Sequence, residues 1–141
     1  MIKRFEDLGI WKEARELCVE IHTLISSGPF STDYALINQI NRSSGSIMDN
    51  IAEGFGRPGN REFIQFLSIS KASCYEVKSQ LYRALDRNYL DAKNAEKLIE
   101  KIESISNQIG GFMKYLNQSE FKGSKFRESE IEYSSISNHQ S

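Results

Sequence analysis

Residues 91–116 read DAKNAEKLIEKIESISNQIGGFMKYL, and their spacing decides the fold class. Ala95, Leu98, Ile102, Ile105, Ile109, Phe112 and Leu116 recur at alternating steps of three and four. That is the repeat of a helix packed lengthwise against a neighbour. Asp91 stands where an N-cap belongs, with a carboxylate to accept from the first-turn amides. Gly110-Gly111 interrupts the stripe near its end, at some cost in helix propensity.

Working back toward the N-terminus, three more segments carry the same repeat. One opens at Asn60 as N-cap with Glu62 in its first turn, and its stripe is Phe63, Leu67, Ser70, Cys74, Val77, Leu81 and Leu85. Before it, Ile37, Ile40, Ser44, Ile47, Ile51 and Phe55 form a stripe with Ser31 or Thr32 as N-cap; Gly54, Gly56 and Pro58 end it. The first segment places Trp11, Ala14, Cys18, Ile21 and Ile25 on one face, widened by Leu17 and Leu24. Glu6 and Asp7 come early, as the helix dipole favours, and Gly28-Pro29 stops the pattern.

The breaks near 28–31, 57–60 and 88–91 are short, and short connections make consecutive helices antiparallel neighbours. The reading is therefore all-α: an antiparallel up-and-down four-helix bundle over residues 1–117. Residues 118–141, QSEFKGSKFRESEIEYSSISNHQS, have no stripe and read as a polar tail, disordered or ordered by a partner. Phe121 and Phe126 are its docking candidates.

Composition narrows the function classes. Apolar residues make up 39% and charged residues 26% of 141, ordinary proportions for one soluble globular domain. Only Pro29 and Pro58 occur, each at a break in a helical pattern. No apolar run is long enough for a membrane span, and Glu6 and Asp7 sit where a secretion signal needs apolar residues. Cys18 and Cys74 have no metal spacing and no CxxC pairing, so they read as buried thiols of a cytoplasmic chain.

Catalysis finds little footing. His22 and His139 are the only histidines, and no HExxH, GxSxG or P-loop pattern occurs. The Glu-x-x-His motif of di-metal bundles is absent, so no metal, cofactor or enzymatic activity is expected. The net charge of −1 argues against a uniform basic field, while leaving room for a local patch.

The second and third segments turn near residues 58–59, so residues equidistant from that point lie at similar heights. Ser43, Gly45 and Ser46 then meet Ser70, Ala72 and Ser73, small residues that let two backbones approach closely. The same arithmetic sets Arg42 level with Glu76, either as a partly buried ion pair or as two groups pointing to water on different faces. Asn50 and Glu53 border the core stripe, and with Arg42 and Glu76 they form a candidate structural polar network. Gly54 or Gly56 is expected in the left-handed conformation as a C-cap, with Arg57 facing the helix dipole; a partner surface is the other reading of this stretch.

These residues also carry a resemblance. FEDLGIWKEARELCVEIH, INQINRSSGSIMDNIAEGFGR and EFIQFLSISKASCYEVKSQL together resemble the four-helix-bundle family of 23S rRNA intervening-sequence proteins, also labelled S23 ribosomal protein-like. The chain is similar as well to the accessory protein of diversity-generating retroelements. The resemblance covers residues 5 to 116, with Asn50-Ile51-Ala52-Glu53-Gly54 followed by Glu62 and Phe63 as its most specific block. It departs at Asn41, where family members often carry a second arginine, and at Met48, where they often carry proline. The resemblance implies a bacterial bundle that assembles as a homopentamer and binds RNA, DNA or a nucleic-acid enzyme.

Nucleic-acid candidates are Arg42, Arg57, Arg61, Lys71, Lys78, Arg83 and Arg87. Interface candidates are Ile64, Phe66, Ile69, Tyr75 and Tyr82, apolar residues beyond what the stripes bury. Two functions follow: an RNA- or DNA-associated adaptor, or an oligomeric protein-binding scaffold without nucleic-acid affinity.

Overall fold

The computed structural model describes residues 2–125, with side chains through Ser119. Among the described residues the chain forms α1 (Gly9–Ile25), α2 (Tyr34–Phe55), α3 (Asn60–Asp86) and α4 (Ala92–Lys125), with short 3-10 turns at Phe5–Asp7 and Gly28–Thr32 and no strand. Consecutive helices run antiparallel and the four stripes meet in one core, as the spacing predicts. No described helix is long and apolar enough to cross a membrane.

The helix starts show which polar residues the backbone selects. Asp91 caps α4 as expected, its Oδ1 accepting from the Asn94 amide at 2.7 Å. Asp33, and neither Ser31 nor Thr32, caps α2, its Oδ1 accepting from the Leu36 amide at 3.2 Å. The two hydroxyls are used inside the 3-10 turn, where they donate to the carbonyls of Gly28 and Pro29. Gly59 caps α3; Asn60 is already helical, and its buried Nδ2 donates to the Leu116 carbonyl of α4 at 3.5 Å. Gly56 ends α2 with φ −75°, so neither it nor Gly54 takes the expected left-handed role. Among the described residues that conformation falls to Gly28 and to Asn88, a residue type that tolerates it.

Aromatic residues close the bundle ends. Phe30 is wholly buried and stacks on Tyr89 at 4.8 Å. The Tyr89 hydroxyl donates to Asp33 Oδ2 at 2.7 Å, and Arg87 Nη1 lies 2.6 Å from the same oxygen. At the other end Phe63 meets Phe55 and Phe112 edge to face, at 6.1 and 5.5 Å.

α4 runs past the expected boundary at 117 to Lys125, so residues 118–125 are helix and not tail. Ser119 is buried, three residues after Leu116, and so continues the stripe as a small polar residue that an apolar count passes over. Its hydroxyl donates to the Tyr115 carbonyl at 3.0 Å. Phe126 and the rest of 126–141 lie outside the described residues, as does the Phe121 side chain.

Two seams on opposite sides of the bundle differ in closeness. Between α2 and α3, Ser43 Oγ donates to Gln80 Oε1 at 2.5 Å, Ser73 Oγ donates to Ser46 Oγ at 2.9 Å, and the buried Ser70 hydroxyl donates to the Ile47 carbonyl. A Cβ on Gly54 would fall 2.8 Å from both Phe63 Cδ1 and Phe66 Cβ, closer than real Cβ contacts come. Ala72 is exposed and takes no part. Between α1 and α4 the helices instead leave two open clefts. One, of about 620 Å³, lies between Val19, Thr23 and Leu24 on one side and Leu90, Asn94 and Leu98 on the other. The second, of about 390 Å³, lies between Leu8–Ile10 and Gly111–Tyr115. Lys101 stands between them, its Nζ 3.3 Å from Glu16 and 3.1 Å from Glu20.

Candidate nucleic-acid interface

The helical repeat distributes the seven basic candidates over separate surfaces. Arg42 is exposed on α2 and Arg61 on the first turn of α3, and neither forms an ion pair among the described residues. Arg57 is held by Glu53 at 3.0 Å and lies over the Phe66 ring at 4.9 Å. Arg87 belongs to the Asp33 cluster, and Arg83 donates to Gln39 Oε1 at 2.6 Å.

Lys71 and Lys78 are different, because α3 interleaves them with aromatic rings. Lys71, Tyr75, Lys78 and Tyr82 follow one another at steps of four, three and four, which sets all four on one flank of the helix. Tyr75 is 58% exposed and Tyr82 48% exposed, unusual values for aromatic side chains. Lys71 Nζ donates to the Tyr75 hydroxyl at 2.9 Å and sits 5.0 Å from its ring centre. That hydrogen bond, then the ammonium charge, holds the Tyr75 phenol below its ordinary pKa. Lys78 Nζ is 3.4 Å from Glu103 of α4, a partly exposed pair open to exchange.

Gly110 explains how Lys71 lies there. A Cβ at Gly110 would stand 3.1 Å from the Lys71 Cε, so the glycine that weakens α4 makes room for the lysine stem. In the sequence Gly110 shows only as a helix defect; what marks it is its height, opposite Lys71 across the antiparallel pair.

The interface candidates separate along the same lines. Tyr75 and Tyr82 stand on the α4 flank of α3, with Ile64 half-buried against the core. Phe66 lies on the α2 flank beneath Arg57, and Ile69, 47% exposed, lies on that flank too. Val19 and Tyr34, at 62% and 72%, are more exposed than any of them.

The expected polar network is not assembled. Arg42 and Glu76 are both exposed and no ion pair joins them; at that level of the helix pair Ser43 meets Gln80 and Gln39 meets Arg83. Height along a helix and direction around it are independent, and Ser43, Ser46 and Asn50 occupy the directions that face α3. Asn50 Nδ2 donates to the Ser46 carbonyl at 2.8 Å and to its hydroxyl at 2.9 Å, so the network observed is Asn50–Ser46–Ser73. Glu53 turns to Arg57 in the same helix and lies outside that network.

Among the described residues no group of three or more His, Cys, Asp or Glu side chains is placed to hold a metal ion. Burial pushes the Cys74 thiol up to about 12 and raises that of the half-buried Cys18, whose Sγ is 3.3 Å from the Ser44 carbonyl. Neither is an activated nucleophile.

Comparison with known proteins places these features in a family. The family model described as 23S rRNA-intervening sequence protein matches residues 6–111. A solved structure from Bacteroides thetaiotaomicron, of a protein with unknown function from the S23 ribosomal protein family, is similar at a TM-score of 0.68. The two chains are 20% identical over 74% of this chain and 98% of that one, a likeness of fold. Comparison with curated proteins returns no match. The chain belongs to the 23S rRNA-intervening sequence protein family.

Proposed function

We propose that this family member is a non-catalytic, cytoplasmic adaptor that binds structured RNA or DNA through the α3/α4 flank. The observation that carries the reading is the Lys71–Tyr75–Lys78–Tyr82 stripe, with both rings exposed and both lysines half-buried beside them. Lysines neutralise phosphates and release counterions, while exposed tyrosine rings offer stacking platforms for unpaired bases. A single copy supplies only two such lysines, which gives weak binding. Assembly as a homopentamer, the form that the sequence resemblance implies, repeats the stripe and raises the avidity of a polyanion spanning several copies. A nucleic-acid enzyme is the protein partner that fits the same role.

The α1/α4 seam favours a second reading, an oligomeric protein-binding scaffold. Its larger cleft and the exposed Val19 offer apolar surface to a partner helix and no cation stripe.

The test is a titration of structured RNA and of duplex DNA, with oligomer mass fixed by light scattering. The Lys71→Gln/Lys78→Gln variant is expected to reduce the salt slope by about one per lysine. The Tyr75→Ala/Tyr82→Ala variant is expected to weaken binding of the structured RNA, through its unpaired bases, by about 1–3 kcal/mol per stacked base and to leave duplex DNA binding unchanged. No binding by the folded wild-type oligomer at low salt would overturn the adaptor reading and leave the scaffold.

A further inference from the structure

Beside the Tyr75 ring, the α3/α4 flank opens into a pocket of about 210 Å³. Its inner lining is the buried Cys74 and Ile102, apolar apart from the hydroxyl of the buried Ser106. Its outer lining is charged, with Lys78 on α3 facing Glu103 on α4. The volume limits the guest. Sites for drug-sized molecules run to about 300–1,000 Å³, and a water takes about 30 Å³ of liquid. The pocket therefore has room for one flat ring system and none for a base pair. Its apolar inner lining suits an unhydrated ring face, and Tyr75 supplies an aromatic wall for stacking.

The charged pair selects the edge of that ring. Lys78 Nζ and Glu103 Oε1 are 3.4 Å apart, a donor cation beside an acceptor with two oxygens. The complement is an edge with one acceptor followed by two donors. Among the bases of RNA only guanine carries it, as O6, N1–H and the 2-amino group in turn. Adenine, cytosine and uracil each offer one donor position there, which leaves a carboxylate oxygen unmatched. Base pairing consumes the same edge, so only a base outside a duplex presents it.

We propose that this pocket takes one unpaired guanine of a bound RNA, stacked against Tyr75 and read by Glu103 and Lys78. Glu103 accepts from N1–H and from the 2-amino group, while Lys78 donates to O6. The two side chains are partly exposed, so exchanging part of their ion pair for these bonds costs little. The inference rests on the adaptor reading and deepens it. Phosphate contacts hold any sequence, whereas contacts to a base edge give a preference.

The experiment titrates the full chain, at low salt, with hairpin RNAs that share a stem and an adenine loop. One loop position carries guanine, inosine or adenine; inosine lacks the 2-amino group and offers the carboxylate one donor fewer. The guanine hairpin is expected to bind about tenfold more tightly than the adenine hairpin, with inosine between them. In Glu103→Gln the guanine-to-adenine ratio is expected to fall to within about twofold, because an amide supplies one acceptor where a carboxylate supplies two. Taking the ratio cancels any general gain in phosphate affinity from the lost charge. Glu96→Gln removes the same charge two turns earlier on α4, outside the pocket, and is expected to keep the preference. Equal binding of the three hairpins by the wild type overturns the guanine pocket and leaves the adaptor reading standing. A preference that survives in Glu103→Gln, or disappears in Glu96→Gln, also overturns the pocket alone. No binding of any hairpin by the folded protein overturns both readings.

Discussion

The α2/α3 and α1/α4 seams are built from helices of the same amphipathic kind, yet one is closed by hydroxyls and a glycine and the other holds two clefts. The first carries Ser43, Ser46, Ser70, Ser73 and Gly54 at the crossing, and the helices approach until serine hydroxyls bridge them. The second carries Val19, Thr23, Leu24 and Leu98, larger side chains whose tips meet across a gap, with Lys101 spanning it. Small side chains, more than hydrophobicity, set how near two helices come. The consequence is a division between them: the close seam fixes the register of α3, and with it the Lys–Tyr stripe, while the open seam leaves apolar surface uncovered.

The largest test of that contrast is Gly54→Val. Its methyl groups have to enter space filled by Phe63 and by the Phe66 Cβ, which is anchored to the backbone. Urea unfolding is expected to show a loss of about 3 kcal/mol, the upper range for overpacking. A neutral result would mean that the two helices part without cost and that closeness does not fix the seam. Next is Ser70→Ala, which leaves the Ile47 carbonyl without its buried donor and is expected to cost about 1–2 kcal/mol.

On the open side, Lys101→Met removes two exposed-partner ion pairs and keeps the apolar stem. Its expected cost is under about 1 kcal/mol, falling with added salt. A loss as large as that of Gly54→Val would show that the α1/α4 seam depends on the lysine.

The smallest effect lies outside both seams, at Asp33, and is read along the pH axis. The Tyr89 hydroxyl, then the Leu36 amide and Arg87, hold its carboxyl below the ordinary 3.8. A lowered carboxylate stabilises the fold above 3.8, and that contribution is lost as pH falls through the depressed value. Tyr89 is raised above 10, chiefly by its bond to Asp33, so its contribution is complete below 10 and is lost as pH rises past the raised value. Asp33→Asn is therefore expected to flatten the acid limb of a thermal-melt pH series while leaving the seams as they are. An unchanged limb would remove Asp33 from the account.

Much of this was legible in the sequence because stripes and breaks are large signals. Ala95 to Leu116 defined α4, the three short breaks defined the antiparallel order, and heights around residues 58–59 set Ser46 against the Ser70–Ser73 stretch, where Ser73 bonds it, while Ser43 meets Gln80 further along α3. Direction around the axis was harder. Arg42 and Glu76, expected to share a level, both turn outward, since the side chains one position away face the seam. Caps were decided by competition: Ser31 and Thr32 were consumed by the 3-10 turn, so Asp33 took their place. In α4 two signals were hidden by residue type, since Ser119 continues the stripe without being apolar and Gly110 makes space without showing for what. The α3/α4 flank was half legible: Lys71 and Lys78 stood out as cations and Tyr75 and Tyr82 as surplus aromatics, and the helix puts all four on one surface.

The Lys101 clasp has a further meaning for how the chain folds. It joins α4 to Glu16 across 85 residues, whereas helices joined by short turns meet locally. Loop-closure entropy makes such distant pairing the costlier to reach, and a seam of small bridging hydroxyls gives α2 and α3 a nucleus that needs no distant segment. The order that follows is an α2–α3 hairpin first, α4 upon it, and α1 last. Native-state hydrogen exchange should then find the amides of α1 opening at the lowest free energy and those of α2 and α3 at the highest. Uniform protection across all four helices would mean that the bundle opens only as a whole.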